Sequence, residues 1–527
     1  MQRMPLMPLD LVRQLVELAR DDVRWEDPAE VQATVGRMHQ VLQSMDAALL
    51  AATGQPVAVA AAAEDPTPEQ AQARLEALSA WLESCQPAAQ AAVAATAAAY
   101  KFEAHPDVTK GNSVVALKDI DAGEVVMTIP RNALLSAKFG QGPHPSIAAT
   151  VLPHFADNSV LELAIVVAYH KHHQKTSYFR PFLDILPSEF TLPQYWSCDI
   201  FRLFQLTPTA CRAAKSFRAA ATLYFRAFST LEQLNIDSFP PSALTWKVFS
   251  WALSVVLTRQ NHVPLPVDPA LPASVETMAA ESVAALVPGW DMMNHTPGEM
   301  TTIYDQDKDC LVFPAPNKLK AREEICMCYG YRQNELFLLY SGFCVRDSPF
   351  DAMDLPIPLV QDEIKKIREC LVRTIVKPGS PVELLEERGI ATVPIRYDDN
   401  GILQPAAWFC ALAAVVDRAE AAQVLRSRIT DYHALLASPS VSLSEETKTK
   451  TKQLLNKALT DHLHALETTE RLFDDHQQQQ VQGEPEAASF SPPLGAATQK
   501  AVIESCKNLV AGHISLARKA LAATFVE

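Results

Sequence analysis

The sequence predicts an α+β fold in which a small β-rich unit is split by a helical insertion and lies between two helical regions. Apolar residues recur at helical spacing over residues 9–50 and again after about residue 360. Between these regions, β-branched residues flank a turn at residues 113–130, and strand-like patterns return after residue 300. The stretch of about 150–260 that separates the two β-rich parts has helical periodicity.

The N-terminal region is expected to form helices followed by a linker. Two groups of apolar residues each share a helical face: Leu11, Leu15 and Leu18, and then Val35, Met38 and Leu42. Residues 51–70 are rich in Ala and Pro and are expected to be a loose linker. A further helix is expected at RLEALSAWLE (74–83), before another small-residue stretch at 87–99.

The β-rich unit begins with SVVALKDIDAGEVVMTIP, a strand–turn–strand pattern in which Gly123 suits a tight turn. TTIYDQDKDCLVFPA (301–315) and EEICMCYG (323–330) are also strand-like. Cys326 and Cys328 are therefore expected on one face of a strand, since no second cysteine pair lies at zinc spacing. In the helical insertion, HKHH (170–173) is expected to be a solvated helix end and not a metal site.

The C-terminal region is expected to be a helical domain. Ile364, Ile367, Leu371 and Ile375 form one helical stripe, and a last helix is expected at about 498–522. The polar stretch DDHQQQQVQGEPEAASFSPP is expected to be a disordered loop. These patterns divide the chain into residues 1–94, 95–345 and 346–527, the last being all-helical.

The bulk composition limits the classes of function. With 527 residues the chain is too long for one compact core, and its net charge of −15 argues against general attraction to nucleic acid or anionic membranes. We expect no membrane span, because no run of about 18 apolar residues occurs. The N-terminus resembles neither a secretory signal nor a transit peptide. Ten scattered cysteines favour a reducing compartment, so a cytoplasmic location is expected, with nuclear access left open.

Four separated segments carry the polar residues that suggest chemistry. They are GNSVVALKDIDAGE (111–124), LTRQN (257–261), WDMMNHT (290–296) and CYGYRQNELFLLYSGF (328–343). In this order, and with FRPFLDILPSEFTLPQYW (179–196), the chain resembles the SET-domain protein methyltransferases. It is similar to the branch with a split SET domain and a helical substrate-binding domain, which includes the Rubisco large-subunit lysine methyltransferases and, with the stronger likeness, the actin-histidine methyltransferases.

The resemblance implies S-adenosyl-L-methionine as cofactor. Arg259 matches an arginine near the carboxylate end of the cofactor, where a guanidinium fork suits the geometry. Phe343 matches the surface on which the adenine stacks, and Gly111 allows close backbone approach. The cofactor-binding positions that the resemblance implies are Lys110, Gly111, Asn112, Arg259, Asp291, Met292, Met293, Asn294, His295, Ser341, Gly342 and Phe343. Without the family, His295 and Phe343 would be interpreted as core residues.

The resemblance also implies the catalytic and substrate-binding residues. Tyr329 matches the SET-domain tyrosine beside the transferred methyl group, and Trp290 and Arg332 match positions that line the peptide groove. Asn261 stands where the actin-histidine enzymes have Asn and the lysine enzymes commonly have an apolar or aromatic residue. An amide can hold one imidazole nitrogen and aim the other at the methyl group. The implied reaction is in-line methyl transfer to a histidine of a protein, with actin as the expected partner and no metal.

Two positions depart from the family pattern. Arg322 occupies a turn position where Gly is usual, and Ser113 replaces a Gly in the loop at 111–113, which requires Ser113 to keep a negative φ. Two alternatives therefore stay open: a protein-lysine methyltransferase of the same fold, and a partner-binding protein that has lost catalysis. A monomer is expected in each case.

Overall fold

The structure, a computed structural model of the chain, covers the N-terminal two thirds more completely than the remainder. It describes residues 8–20, 28–52, 67–86, 99–105, 110–139, 145–265, 282–358, 383–385, 390–396, 410, 414, 418–427, 438–439, 441–482 and 495–524. The predicted helical stripe at 364–375, most of the 51–70 linker and nearly all of the 87–99 stretch lie outside these residues. The predicted domain boundaries stay predictions.

The N-terminal region forms three helices, as predicted: α1 (Leu9–Arg20), α2 (Pro28–Ala52) and α3 (Pro68–Cys85). Helix α3 begins with a capping box, in which the Thr67 hydroxyl accepts from the Gln70 backbone N–H and the Gln70 side chain accepts from the Thr67 N–H. The apolar faces of these helices are buried and belong to the main core.

Three small antiparallel sheets surround the site and contain eight short strands. The strands are β1 (Tyr100–Ala104), β2 (Asn112–Ala116), β3 (Val125–Pro130), β4 (Leu135–Ser136), β5 (Asn261–Pro264), β6 (Ser282–Leu286), β7 (Ile303–Asp305) and β8 (Cys310–Pro314). The sheet orders are β1-β2, β3-β8-β7 and β4-β6-β5. The predicted strand–turn–strand at 113–130 is confirmed, but its two strands belong to different sheets, β2 pairing with β1 and β3 with β8.

The segment EEICMCYG does not form the regular strand that was predicted. It makes only isolated bridges, from Glu324 to Val115 and from Met327 to His295. The expected position of Cys326 and Cys328 on one face of a strand is therefore wrong, because the ladder is interrupted between the bridges. The two bridges nevertheless hold residues 324–329 between two segments of the predicted site.

The insertion is helical, as predicted, and α10 follows the β-rich unit. The helices are α4 (Pro145–Thr150), α5 (Ser159–His172), α6 (Arg180–Leu183), α7 (Cys198–Leu203), α8 (Pro208–Leu234), α9 (Trp246–Arg259) and α10 (Asn334–Ser341). The prediction that residues 170–173 form a solvated end is wrong for two histidines. His170 is buried with its Nδ1 3.0 Å from the Ser177 hydroxyl, and Nε2 of His173 is 2.6 Å from the Ser238 carbonyl oxygen.

The C-terminal region contains a sheet, so the prediction of an all-helical domain is wrong. Strands β9 (Ala352–Pro358), β10 (Glu383–Leu385) and β11 (Ile390–Arg396) pair antiparallel in the order β10-β11-β9. The helical interpretation overlooked the β-branched residues in IATVPIR, which favour a strand. Three helices follow: α11 (Arg418–Ser427), α12 (Glu445–Gln482) and α13 (Ala496–Thr524).

Helix α12 also corrects the predicted loop at its end, while α13 confirms the predicted last helix. DDHQQQQVQ is helical up to Gln482, because the stretch contains no Gly or Pro before Gly483 and Gln is a good helix former. The rest of that polar stretch, 483–494, lies outside the described residues. Among the described helices, none is both long enough and apolar enough to cross a membrane.

A buried ionic cluster connects the insertion with α10 and the C-terminal sheet. Arg212 of α8 contacts both Glu335 of α10 and Asp354 of β9, and the side chains of the two acids are 5% and 7% exposed. The Thr209 hydroxyl donates a further hydrogen bond to Glu335 at 2.8 Å. Because the cluster holds the first turn of α10, it fixes the helix whose last residues form one wall of the site.

Candidate functional site

The C-terminal end of α9 brings Arg259 against the turn at Trp290–Met292. Arg259 Nη1 donates to the Asp291 carbonyl oxygen at 2.8 Å and lies 3.6 Å from the Asp291 carboxylate. Burial raises the pKa of Asp291 to about 7, although the guanidinium partly offsets this effect. Within the described residues, neither carboxylate oxygen of Asp291 nor Nε of Arg259 has a hydrogen-bond partner. This corner therefore keeps donors and acceptors for a ligand that carries both charges.

The phenol of Tyr329 faces the backbone of the methionine pair. Its Oη donates to the Met293 carbonyl oxygen at 2.7 Å, and both Met292 and Met293 are buried. Burial raises the pKa of Tyr329, an effect that Arg259 opposes. The phenol is therefore protonated at neutral pH and available as a fixed hydrogen-bonding group beside an apolar wall.

Asn112 and Asn294 connect the loop at 110–112 with the segment 291–295. The Asn294 amide donates to the Asn112 carbonyl oxygen at 3.2 Å and to Glu324 at 2.7 Å. The Asn112 amide donates to the Ile185 carbonyl oxygen at 3.3 Å and lies 3.7 Å from the Met292 sulfur. Two segments that are about 180 residues apart in sequence are thus joined in the site, as the motif order predicts.

The loop has a left-handed backbone at Gly111, whose φ is +71°, and Lys110 beside it is exposed. The Lys110 ammonium is close enough to Cys326 to counter part of the rise in that thiol's pKa, which burial raises to about 12. The charge of Lys110 therefore acts on the segment that leads to Tyr329.

Four rings form an aromatic wall: His295, Tyr329, Phe337 and Phe343. The His295 ring centroid is 5.2 Å from that of Tyr329 and 4.8 Å from that of Phe337. Phe337 and Phe343 stack at 5.2 Å, and Phe343 is half-buried. Sequence reasoning missed Phe337, which looks like any core residue of α10; only its spacing of six residues before Phe343 could have suggested it.

His295 is a neutral ring in this wall. The Tyr329 backbone N–H donates to its Nδ1 at 3.1 Å, so Nδ1 is an acceptor and the proton is on Nε2. Burial lowers the pKa of His295 to about 4, a hydrogen bond to the Met327 backbone opposes the shift, and Arg332 adds to it. His295 therefore contributes a flat polar surface and not a charge at neutral pH.

The end of α10 forms the opposite wall. Ser341 is the last helical residue, and the N–H of Gly342, with φ +80°, donates to the Phe337 carbonyl oxygen at 2.8 Å. The Thr191 hydroxyl donates to the Gly342 carbonyl oxygen at 2.7 Å. Thr191, which sequence reasoning did not single out, therefore fixes the point from which Phe343 enters the site.

The three predicted substrate positions have different environments. Asn261 begins β5 opposite Ala285, two residues after Arg259, and its side-chain amide has no hydrogen-bond partner in the described part of the chain. The Trp290 ring is 6% exposed, with its indole N–H donated to Thr302 at 3.1 Å. Arg332 is exposed. These roles in substrate binding stay predictions.

The two departures from the family pattern are accommodated differently. Ser113 is a buried residue of β2 without a positive φ, so it meets the condition set by the sequence. Arg322 has a φ of +74°, and its N–H donates to the Ala116 carbonyl oxygen at 2.8 Å. The turn thus keeps a left-handed backbone at a position where the family usually has Gly, with a side chain that disfavours it.

Residues 111–330, which contain most of these site segments, match the SET domain family model. The relatives include the actin-histidine N-methyltransferases of Homo sapiens, 26% identical over 255 residues, and of Xenopus tropicalis, 23% identical over 293 residues. These matches cover 47% and 54% of this chain and 40% and 47% of the relatives, so the chain spans less than half of their length.

Solved structures show the same fold over a larger share of the chain. A crystal structure described as the SET domain of LSMT bound to lysine and AdoHcy matches with a TM-score of 0.56 and 16% identity, covering 86% of this chain and 92% of that one. Rubisco LSMT bound to AdoMet matches with a TM-score of 0.52 and 15% identity, covering 86% and 93%. The architecture is therefore a SET domain with helices on both sides, as predicted.

Proposed function

We propose that this chain is an S-adenosyl-L-methionine-dependent protein-histidine N-methyltransferase that acts on a histidine of actin. The relatives are named actin-histidine N-methyltransferases, and the solved structures of the same fold are described with AdoMet or AdoHcy bound. The observation that carries the histidine assignment is that the Asn261 amide, two residues from Arg259, has no hydrogen-bond partner among the described residues.

The site has the groups that this cofactor requires. In the Arg259–Asp291 corner, buried polar atoms have no hydrogen-bond partner within the described structure, which suits the ammonium and carboxylate of the amino-acid end. The aromatic wall suits an adenine ring, for which stacking is favourable; within it the His295 and Phe343 rings are 6.2 Å apart and tilted by 44°. Between them, the Tyr329 hydroxyl donates to the Met293 carbonyl oxygen, and this fixed hydroxyl supports assigning Tyr329 to the methyl-transfer point.

When bound, S-adenosylmethionine would supply a methyl group on a sulfonium. The lone pair of a neutral imidazole nitrogen would attack that methyl carbon in line, so that a nitrogen–carbon bond forms as the carbon–sulfur bond breaks. The Tyr329 hydroxyl is oriented by its hydrogen bond to the Met293 carbonyl oxygen. In this orientation it can position the incoming nucleophile. The partly buried surroundings strengthen these dipoles. The second imidazole nitrogen would then release its proton to solvent water, and the products would be methylhistidine and the thioether.

Asn261 is suited to distinguish histidine from lysine. An imidazole has two nitrogens, of which only the unprotonated one can attack, so a group that binds the other nitrogen also fixes the ring plane. The Asn261 amide carries both a donor and an acceptor and uses neither within the described structure. A lysine ammonium has no second nitrogen to hold in this way.

The test is methyl transfer from labelled S-adenosylmethionine to recombinant unmethylated actin, with the modified residue mapped by mass spectrometry. We expect label on one histidine, reduced at least about tenfold by Tyr329→Phe and by Asn261→Ala, because each removes a positioning hydrogen bond. Tyr340→Phe and Asn317→Ala, at exposed positions, are matched controls that should retain full activity.

Two other outcomes would change the assignment. Label on a lysine of another protein in an extract would change the assigned substrate residue from histidine to lysine and would leave the cofactor assignment unchanged. Lysine is the ligand named with a solved structure of this fold. No binding of S-adenosylmethionine at high micromolar concentration would refute the enzyme assignment. We further propose that the protein acts as a monomer in the cytoplasm, which sedimentation analysis and cell fractionation would test.

A further inference from the structure

Glu324 lies five residues before Tyr329 and contacts two other segments of the site. One carboxylate oxygen accepts from the Asn294 amide at 2.7 Å, and the other is 3.3 Å from Nε2 of His105, at the end of the β1 strand. The Glu324 and His105 side chains are 24% and 15% exposed, so water screens the contact only in part. No other acidic side chain contacts the Asn294 amide within the described residues.

This contact fixes which way the Asn294 amide points. A carboxylate and a backbone carbonyl can only accept, and the Asn294 nitrogen donates one hydrogen to Glu324 and one to the Asn112 carbonyl oxygen. The Asn294 amide oxygen therefore points away from both acceptors. In the described structure that oxygen has no hydrogen-bond partner, which leaves it as an acceptor in the site.

We propose that Glu324 is a positioning residue for cofactor binding, which acts by orienting the Asn294 amide and by holding the loop at 110–112 against it. The inference rests on the proposed function and deepens it. Glu324 has no place at the methyl-transfer point itself. Its loss should therefore weaken the binding of the cofactor and leave the turnover at saturating cofactor nearly unchanged, which separates it from Tyr329.

Isothermal titration calorimetry with S-adenosylmethionine and with S-adenosylhomocysteine tests this without any protein substrate. We expect Glu324→Ala to weaken binding at least about tenfold, because a charge-assisted hydrogen bond is lost and the amide is released. Glu324→Gln keeps an acceptor oxygen and should weaken binding only about threefold. Glu323→Ala removes the same charge at an exposed neighbouring position and is the matched control.

A double-mutant cycle with Asn294→Ala provides the second measurement. If Glu324 acts through Asn294, its removal costs little further affinity once the amide is absent, so the two losses are not additive. Steady-state kinetics should show a raised KM for the cofactor with kcat changed less than about twofold in Glu324→Ala, while circular dichroism confirms that the variant is folded.

The outcomes are distinguishable. If the wild-type protein binds neither ligand, the proposed function itself is refuted, and the inference about Glu324 is refuted with it. If the wild type binds and Glu324→Ala binds equally well, or if the losses of Glu324→Ala and Asn294→Ala add fully, the positioning role is refuted. A fall in kcat with unchanged cofactor affinity would also refute it, because Glu324 would then act on the transfer step.

Discussion

Gly342 gives the sharpest test of how the wall of the site is built. It ends α10 with φ +80°, and a Cβ added there would be 2.0 Å from the Thr191 hydroxyl oxygen and 3.2 Å from the Thr191 Cβ. Gly342→Ala therefore has three costs. A left-handed backbone costs a non-Gly residue about 1 kcal/mol, the hydrogen bond to Thr191 contributes about 1 kcal/mol, and overpacking costs about 1–3 kcal/mol.

We accordingly expect Gly342→Ala to lower the free energy of unfolding by about 3–5 kcal/mol, measured by urea denaturation. In a Thr191→Ala background the hydroxyl is absent, so the same change should cost only about 1–2 kcal/mol. The affinity for S-adenosylmethionine should fall together with the stability, because Phe343, the proposed stacking surface, is the next residue. Equal losses in the two backgrounds would refute the reasoning, since the cost would then be independent of the Thr191 side chain.

Three further predictions concern single residues. Arg322→Gly should raise the free energy of unfolding by up to about 1 kcal/mol in urea, because it removes a left-handed non-Gly residue; a loss of stability would contradict this. The folded-state pKa of Asp291, about 7, exceeds its usual 3.8, so wild-type stability should fall as pH rises from 4 to 7. In Asp291→Asn this loss should shrink, and parallel curves for the two proteins would refute the assignment. Arg212→Met should cost about 3–5 kcal/mol, because it leaves Glu335 and Asp354 buried without their cation; a thermal midpoint within 1 °C of wild type would contradict this.

The sequence allowed the helices and the order of the site segments to be predicted, because both depend on local patterns. Apolar spacing identifies α2 or α9 without reference to the rest of the chain. The C-terminal sheet was missed for the complementary reason. Strands β9 and β11 pair over residues 352–396, and a pairing of this kind is set by the partner strand and not by a local period.

The sequence analysis singled out the motif residues of the site, but it did not identify the residues that hold them in place. Asn112, Asn294 and Tyr329 stand out as polar groups in recognisable segments. Glu324 and Thr191 gave no such signal, since a glutamate in a turn and a threonine in a loop are ordinary. Their importance arises only where the folded chain brings them to Asn294 and Gly342, at separations of 30 and 151 residues.

The electrostatics of the site suggest how the proposed reaction avoids a general base. At neutral pH the His295 ring and the Tyr329 phenol are uncharged, and the Asp291 carboxyl has a pKa of about 7. Neither His295 nor Tyr329 therefore presents a negative charge that would hold the imidazole nucleophile as an imidazolium. Once the methyl group is transferred, the imidazole becomes cationic and acidic enough to lose its other proton directly to water, and the proposal gives the Asn261 amide only the role of a hydrogen-bonding group for that nitrogen. Selectivity for histidine then depends on fixing the ring plane, and not on supplying a proton acceptor of high pKa.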